Sequence, residues 1–304
     1  MKKVDSFKIR IYCFNNHQKD IFDISKGRII KDFIPKTSNI NFHPEVLKAD
    51  PFLFVQNDTL FLFYEKQTYW EPATIEMTCT TDLHTWTKPR TVLKEHFHLS
   101  YPYVFKYNDA VYMIPETHKI KEIRLYKANN AITSFTYYKT LNNENKIFVD
   151  SSLYISPEKV YLFTTSIDSD IQLHLFVSDN IEGPYTEHIN SPIAKGFKYG
   201  RNGGGIVSIN NELYRVNQNC LTSYGENLNI FNIKDISPNS YKETLYIENL
   251  ISNNNSFYKD GGHHFSVAHF KGNTIVATDA KESRCFLMAQ LNTNLKNSIK
   301  TLLR

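Results

Sequence analysis

The residues with most chemistry to offer are acids placed where strands should begin or end. Asp50 stands between Ala49 and Pro51, and Asp150 follows the apolar run Ile147-Phe148-Val149. A following proline biases Asp50 to an extended backbone. Its carboxylate then either caps its own turn or is held to take a proton from water or a hydroxyl. Asp150, after three apolar residues, is poorly placed for solvent. It is a buried acceptor of backbone N–H groups or a carboxylate that orients a substrate. Glu116 closes the run Tyr112-Met113-Ile114-Pro115-Glu116. Pro115 turns it away from a regular ladder, as an acid, a sugar-binding group or half of an inter-blade ion pair.

Cationic and amide candidates complete the set. Arg201-Asn202 precedes Gly203-Gly204-Gly205. Glycines let backbone N–H groups approach an anion, and the arginine fork matches phosphate or carboxylate. Arg215 can add to that charge; the plainer alternative is a glycine-rich connection with a structural arginine. In Gly261-Gly262-His263-His264, neighbouring strand residues point to opposite faces. One histidine can face a site as acid, base or hydroxyl ligand while the other packs. Tyr101, Gln218 and Tyr224 supply aromatic and polar groups suited to sugar rings and hydroxyls. His96 and His98, two apart, can share a face, but no metal site is expected.

Composition narrows the classes. The 304 residues carry 35 Lys and Arg against 31 Asp and Glu, a net charge of +4 with no basic block, so no nucleic-acid partner is expected. The 19 Tyr and 21 Phe favour strands. Cys13, Cys79, Cys220 and Cys285 are far apart and form no CxxC pair, which argues against zinc or disulfide frameworks and for a reducing compartment. The first twenty residues lack the apolar core of a signal peptide, and no run reaches the roughly 20 apolar residues of a membrane span. A cytoplasmic protein is expected.

The candidates sit in a repeat. ADPFLFVQNDTLFLFYE (49–65), SYPYVFKYNDAVYMIPE (100–116), DSSLYISPEKVYLFTTS (150–166), NGGGIVSINNELYRVNQ (202–218) and GHHFSVAHFKGNTIVATD (262–279) each read as lead-in, strand, polar turn and strand. Further strands follow at IEMTCTTDLHTW, EIRLYKA, QLHLFVSD, NLNIFNI and CFLMAQL (285–291). Hairpins recurring at about fifty residues are the signature of a β-propeller. The expectation is an all-β chain, one domain over 1–304, with five four-stranded blades whose inner strands start near 50, 100, 150, 201 and 262. The unpaired early strand FKIRIYCF (7–14) is expected to join the last blade and close the ring. Lead-ins to inner strands meet at one mouth of a propeller channel, so the candidate residues should converge there.

Those residues carry a resemblance. The Asp50 and Asp150 lead-ins resemble the furanosidase propellers of glycoside hydrolase families 43 and 32. In family 43, a first-blade Asp is the general base, a third-blade Asp orients the site, and a fourth-blade Glu is the general acid. The resemblance implies a base role for Asp50 and an orienting role for Asp150. At the acid's position this chain has Arg201-Asn202 instead. ADPFLF, HLSYPYVF, YMIPET, RLYKA, R-N-G-G, LYRVNQ and GGHHFS, spanning about 49–279, more closely resemble the propeller of glucosamine inositolphosphorylceramide transferases and of bacterial polysaccharide-synthesis relatives.

The implied activity is a cytoplasmic glycosyltransferase of capsule or O-antigen synthesis, moving a furanose from a nucleotide-activated donor to a glycan acceptor. Peripheral association with membrane-bound glycan assembly machinery would accompany it. Asp50 or Glu116 would deprotonate the acceptor, and Arg201 would hold the leaving phosphate. The alternatives are a furanosidase with Asp50 as base and Glu116 as acid, and a glycan-binding propeller without catalysis.

Overall fold

The computed structural model describes residues 3–15, 20–37, 43–142, 146–251 and 255–286. Its strands form five sheets, the blades of a propeller. Blade one runs from the inside outward as Glu45–Gln56, Thr59–Thr68, Thr74–Thr80 and Arg90–Leu93. Blade two is Ser100–Tyr107, Ala110–Glu116, Ile123–Ala128 and Phe135–Asn142. Blade three is Phe148–Ile155, Val160–Ser166 and Gln172–Ser178, with two short edge pieces, Thr186–Glu187 and Ala194–Lys195. Blade four is Arg201–Ile209, Glu212–Asn219, Asn227–Ser237 and Ser240–Ile247. Helix is confined to Gly196–Tyr199 and three short 3-10 turns among the described residues.

Blade five is built from both ends of this sequence: Phe265–Phe270 and Asn273–Arg284 continue into Val4–Asn15 and then Arg28–Phe33. The early strand thus closes the ring, pairing from Val4 with Arg284 to Asn15 with Asn273. The strand expected over 285–291 lies almost wholly outside the described residues. Cys285 and Phe286 lie outside any strand, and 287–291 fall outside the described residues.

Local chemistry accounts for the hairpins. Asn57-Asp58, Asn210-Asn211 and Lys271-Gly272 all have positive φ, the geometry that two-residue turns need to match strand twist. Alternating apolar residues then bury each blade against its neighbours. Phe63, Ile75 and Met113 join blades one and two; Ile114 and Leu162 join two and three; Phe163 and Ile233 join three and four. Val216 and Val276 join four and five, and Ile9 and Leu62 join five and one. Every large core cluster is shared between consecutive blades, so no blade buries its faces alone.

Candidate active site

In four blades the inner strand breaks register where the lead-in meets the hairpin. Asp50 and Pro51 fit between the pairs Ala49–Glu65 and Phe52–Phe63. Tyr101 and Pro102 fit between Ser100–Glu116 and Tyr103–Ile114, and Asp150 and Ser151 between Val149–Thr165 and Ser152–Phe163. Gly203–Gly205 fit between Asn202–Asn217 and Ile206–Arg215. Such bulges re-aim side chains. Asp50, Tyr101 and Asp150 hold φ of 52°, 46° and 53°, a left-handed conformation that costs a non-glycine residue of order 1–3 kcal/mol. The surroundings that enforce it are visible. Asp50 Oδ2 accepts the Tyr101 N–H at 3.0 Å, while the Asp50 N–H donates to Asp279 Oδ2 at 3.2 Å. Asn202 Nδ2 donates to the Asp150 carbonyl at 3.1 Å.

The bulges and strand ends converge on a cavity of about 180 Å³ lined from several blades, with Asp50, Glu65, His98, Glu116, Asp150, Arg201, Tyr224 and His263 in its wall. A larger cavity, about 260 Å³, opens among Leu53, Tyr103, Val207 and Val267. It has no acid or strong base in its lining, so the chemistry belongs to the smaller one.

Charges in the acidic cavity are set by contact. Burial pushes the Asp50 carboxyl well above the usual range. Glu65, Asp279 and Asp150 push the same way, against the pull of His263. Burial also lifts Asp150, to about 6, although Arg201 Nε donates to its Oδ2 at 2.7 Å. Burial would raise Glu116 too, but His118 Nδ1 at 2.5 Å, helped by Arg201 and His98, holds it below its ordinary value. Burial thus favours the neutral form of Asp50, and the His118 contact favours the charged form of Glu116, the opposite order to Asp50 as base and Glu116 as acid.

The histidines divide as well. Burial disfavours a charge on His263, yet Asp279 Oδ2 at 2.7 Å, with Asp50, carries it up to about 9. That contact is an ion pair, close but not aligned for a hydrogen bond. The His263 ring stacks on Phe7 at 4.3 Å. His264, fully buried between Phe52 and Tyr101, is driven down to about 3. His98 Nε2 lies 3.1 Å from Glu65 and is lifted above its ordinary value despite burial. His96 packs on Phe97 and does not join it.

The structure thus brings Asp50, Glu116, Asp150, Arg201, Tyr224 and His263 to one cavity. Five expected substrate contacts are corrected. Tyr101 is buried and donates its hydroxyl to the Gly204 carbonyl at 2.7 Å, a strut across the channel. Asn202 is buried against Asp150 and Ser152, and Gln218 Nε2 bonds the Asn202 carbonyl at 2.7 Å; both position blade four. Arg215 is fully buried in a two-pronged pair with Glu243, over the Phe231 ring, and cannot add charge to the cavity. His264 is packing.

Sequence reasoning passed over Glu65 and Asp279. Their signal was present: Glu65, Glu116 and Asp279 each fall fifteen residues after Asp50, Tyr101 and His264, at one equivalent point of three blades. Where no metal site was expected, Asp50, His263 and Asp279 bring ligand-type atoms within 4.8 Å of one another. A cation there would have to displace the proton of His263.

A five-bladed propeller with acids gathered at its channel mouth has the architecture of glycoside-hydrolase propellers. A family 117 glycoside hydrolase of the marine bacterium Zobellia galactanivorans superposes with a TM-score of 0.55 at 11% identity, over 77% of this chain and 84% of that one. A family 43 protein from Bacillus licheniformis does so with a TM-score of 0.56 at 15% identity, over 75% and 48%. These likenesses show the fold.

Sequence goes further. Residues 34–280 match the family described as glucosamine inositolphosphorylceramide transferase 1, N-terminal, and the chain belongs to that family. The protein named glucosamine inositolphosphorylceramide transferase 1 from Oryza sativa subsp. japonica is 37% identical over 210 residues, 66% of this chain and 28% of its own. Its namesake from Arabidopsis thaliana is 32% identical over 240 residues, 74% and 31%. The chain spans less than a third of the curated relatives it matches.

Proposed function

We propose that this propeller is a glycosyl-transfer module whose channel mouth binds a sugar linked to phosphate. The observation that carries the reading is Arg201, a guanidinium in the wall of a cavity whose other ionisable groups are acids, histidines and a tyrosine. Asp150 takes its Nε, and among the described residues its terminal nitrogens make no further hydrogen bond. Those nitrogens suit two phosphate oxygens. The cavity, smaller than the roughly 300–1,000 Å³ of drug-sized sites, suits one sugar ring.

Transfer then balances as follows. The bond between the anomeric carbon and the phosphate oxygen breaks, and the phosphate leaves with both bonding electrons onto Arg201. The acceptor hydroxyl oxygen bonds that carbon, and its proton passes to the charged Glu116. Asp150 fixes the guanidinium, and neutral Asp50 donates a hydrogen bond to a ring hydroxyl. The relatives' name, a transferase, supports the class. Surface-polysaccharide synthesis, a furanose as the moved sugar, a glycan acceptor, cytoplasmic location and docking beside membrane-bound assembly machinery are the finer parts of this proposal.

A second reading has one observation in its favour. A protonated Asp50 and an ionised Glu116 in one cavity are also the acid and base that a glycosidase needs. Ligand-detected NMR with glucosamine 1-phosphate and methyl glucosaminide separates the two. Binding of the phosphate ester that falls at least tenfold in Arg201→Ala, with the glycoside unaffected, is expected. Equal binding of both ligands in both proteins would overturn the transfer reading in favour of neutral-glycan hydrolysis or recognition.

A further inference from the structure

Beyond Arg201 and Tyr224, which wall the acidic cavity, lies a second cavity of about 320 Å³ that shares both residues and is otherwise lined by Ile171, Phe197, Cys220, Leu221 and the hydroxyls of residues 222–223. Phe197 and Leu221 are 58% and 59% exposed, an unusual placement for side chains of this size beside a site of ionised groups. The polar atoms nearby are already engaged. Thr222 N–H donates to Glu226 at 2.8 Å, and Lys281 Nζ donates to Ser223 Oγ at 3.0 Å and to the Tyr224 carbonyl. Cys220 Sγ leans on Gln218 Oε1 at 3.8 Å. The cavity therefore offers hydrocarbon and aromatic surface, with few free groups to read the edge of a nucleobase.

The order along the surface is acidic cavity, guanidinium, apolar cavity. Arg201 sits at the junction, its guanidinium carbon 4.9 Å from the Tyr224 ring. We propose that the apolar cavity receives the hydrocarbon of a lipid phosphate, the carrier of the transferred sugar, with the phosphate on Arg201 and the sugar in the acidic cavity. The inference rests on the transfer reading above and replaces the nucleoside expected from sequence with a hydrocarbon chain. A sugar carried this way is a product of reactions that load sugars onto lipid phosphates at a membrane, so the apolar ledge would face that surface.

The test measures, by calorimetry or ligand-detected NMR on the full chain, binding of octyl phosphate below its micellar concentration. Ethyl phosphate and uridine monophosphate serve as comparisons. Each methylene buried strengthens binding about fourfold, so octyl phosphate should bind at least tenfold tighter than ethyl phosphate. Leu221→Ser and Phe197→Ser, both at exposed positions, should remove that preference and leave ethyl phosphate affinity unchanged, with circular dichroism confirming the fold. Arg201→Ala should weaken both alkyl phosphates together. Equal affinity for octyl and ethyl phosphate would overturn the hydrocarbon assignment while the phosphate site stands. Tight uridine monophosphate binding lost in Phe197→Ser would overturn it in favour of a nucleoside carrier. Binding of no phosphate at all would overturn the transfer reading with it.

Discussion

The same inner strands present two different surfaces. At and just before the bulges they carry Asp50, Asp150 and Arg201 into a cavity of ionised groups. Past the bulges, and along the regular inner strand of blade five, Leu53, Val104, Val207 and Val267 enter one lined mostly by apolar and hydroxyl groups. Composition does not make the difference, since both surfaces come from one hairpin repeat. Register does: two residues opposing one shift the pleat, so the segment before the break no longer follows the alternation that packs the segment after it. The propeller thereby keeps a packing end and a chemical end on one set of strands. The strain of left-handed Asp50 and Asp150 is confined to the boundary.

This contrast can be broken at graded cost. Asp279→Asn should do most damage, because it leaves the His263 charge buried and unpaired; breaking one side of such a pair costs about 3–5 kcal/mol, read from urea unfolding. The same variant sharpens the electrostatics. His263, raised from 6.5 to about 9, stabilises the fold fully below pH 6.5, and that contribution is lost as pH rises through 9. His264, lowered from 6.5 to about 3, acts oppositely: its contribution holds above 6.5 and is lost as pH falls towards 3. Wild type should therefore lose stability between pH 6.5 and 9 while Asp279→Asn shows a flatter alkaline limb. An NMR titration should find the His263 imidazole titrating well below 9 in the variant.

Gly204→Ala comes next, at about 3 kcal/mol. A Cβ at Gly204 would stand 2.2 Å from the Phe265 carbonyl oxygen, a backbone atom that cannot swing aside; unfolding midpoints should fall accordingly. Arg215→Met should lower stability by 1–3 kcal/mol, since Glu243 loses a charged partner near the surface, yet leave phosphate binding intact. If it abolishes binding at unchanged stability, Arg215 belongs to the site after all. The smallest effect is expected at the packing end: Leu53→Met should cost under about 1.5 kcal/mol and leave ligand affinity within error.

Much of the fold was legible because its signals are short-range. Turn residues such as Asn57-Asp58 and Asn210-Asn211, and the alternation around them, recur at a fixed interval, and they placed the inner strands and the closing role of residues 7–14. Residue types at the lead-ins also pointed to the acidic mouth. What could not be read was orientation. Arg215 and Gln218 look like ligand groups in a sequence, but a strand sends alternate residues to opposite faces, and their partners, Glu243 and the Asn202 carbonyl, come from other strands of the blade. The pKa directions of Asp50 and Glu116 were equally hidden: His263 reaches Asp50 from another blade, and His118, though only two residues from Glu116, gives no sign in sequence of the turn that brings its ring onto that carboxylate.

Ring closure has a temporal consequence. The pairing of Val4–Asn15 with Asn273–Arg284 joins segments made far apart in time. Asp50 meets Asp279 and His263 only when that seam forms. A chain emerging from the ribosome can complete four hairpin sheets early, yet the constellation that fixes the charge of its first acid is assembled last. Partial products therefore carry the acids without their tuning, and the chemical competence of the mouth waits on the strands of blade five.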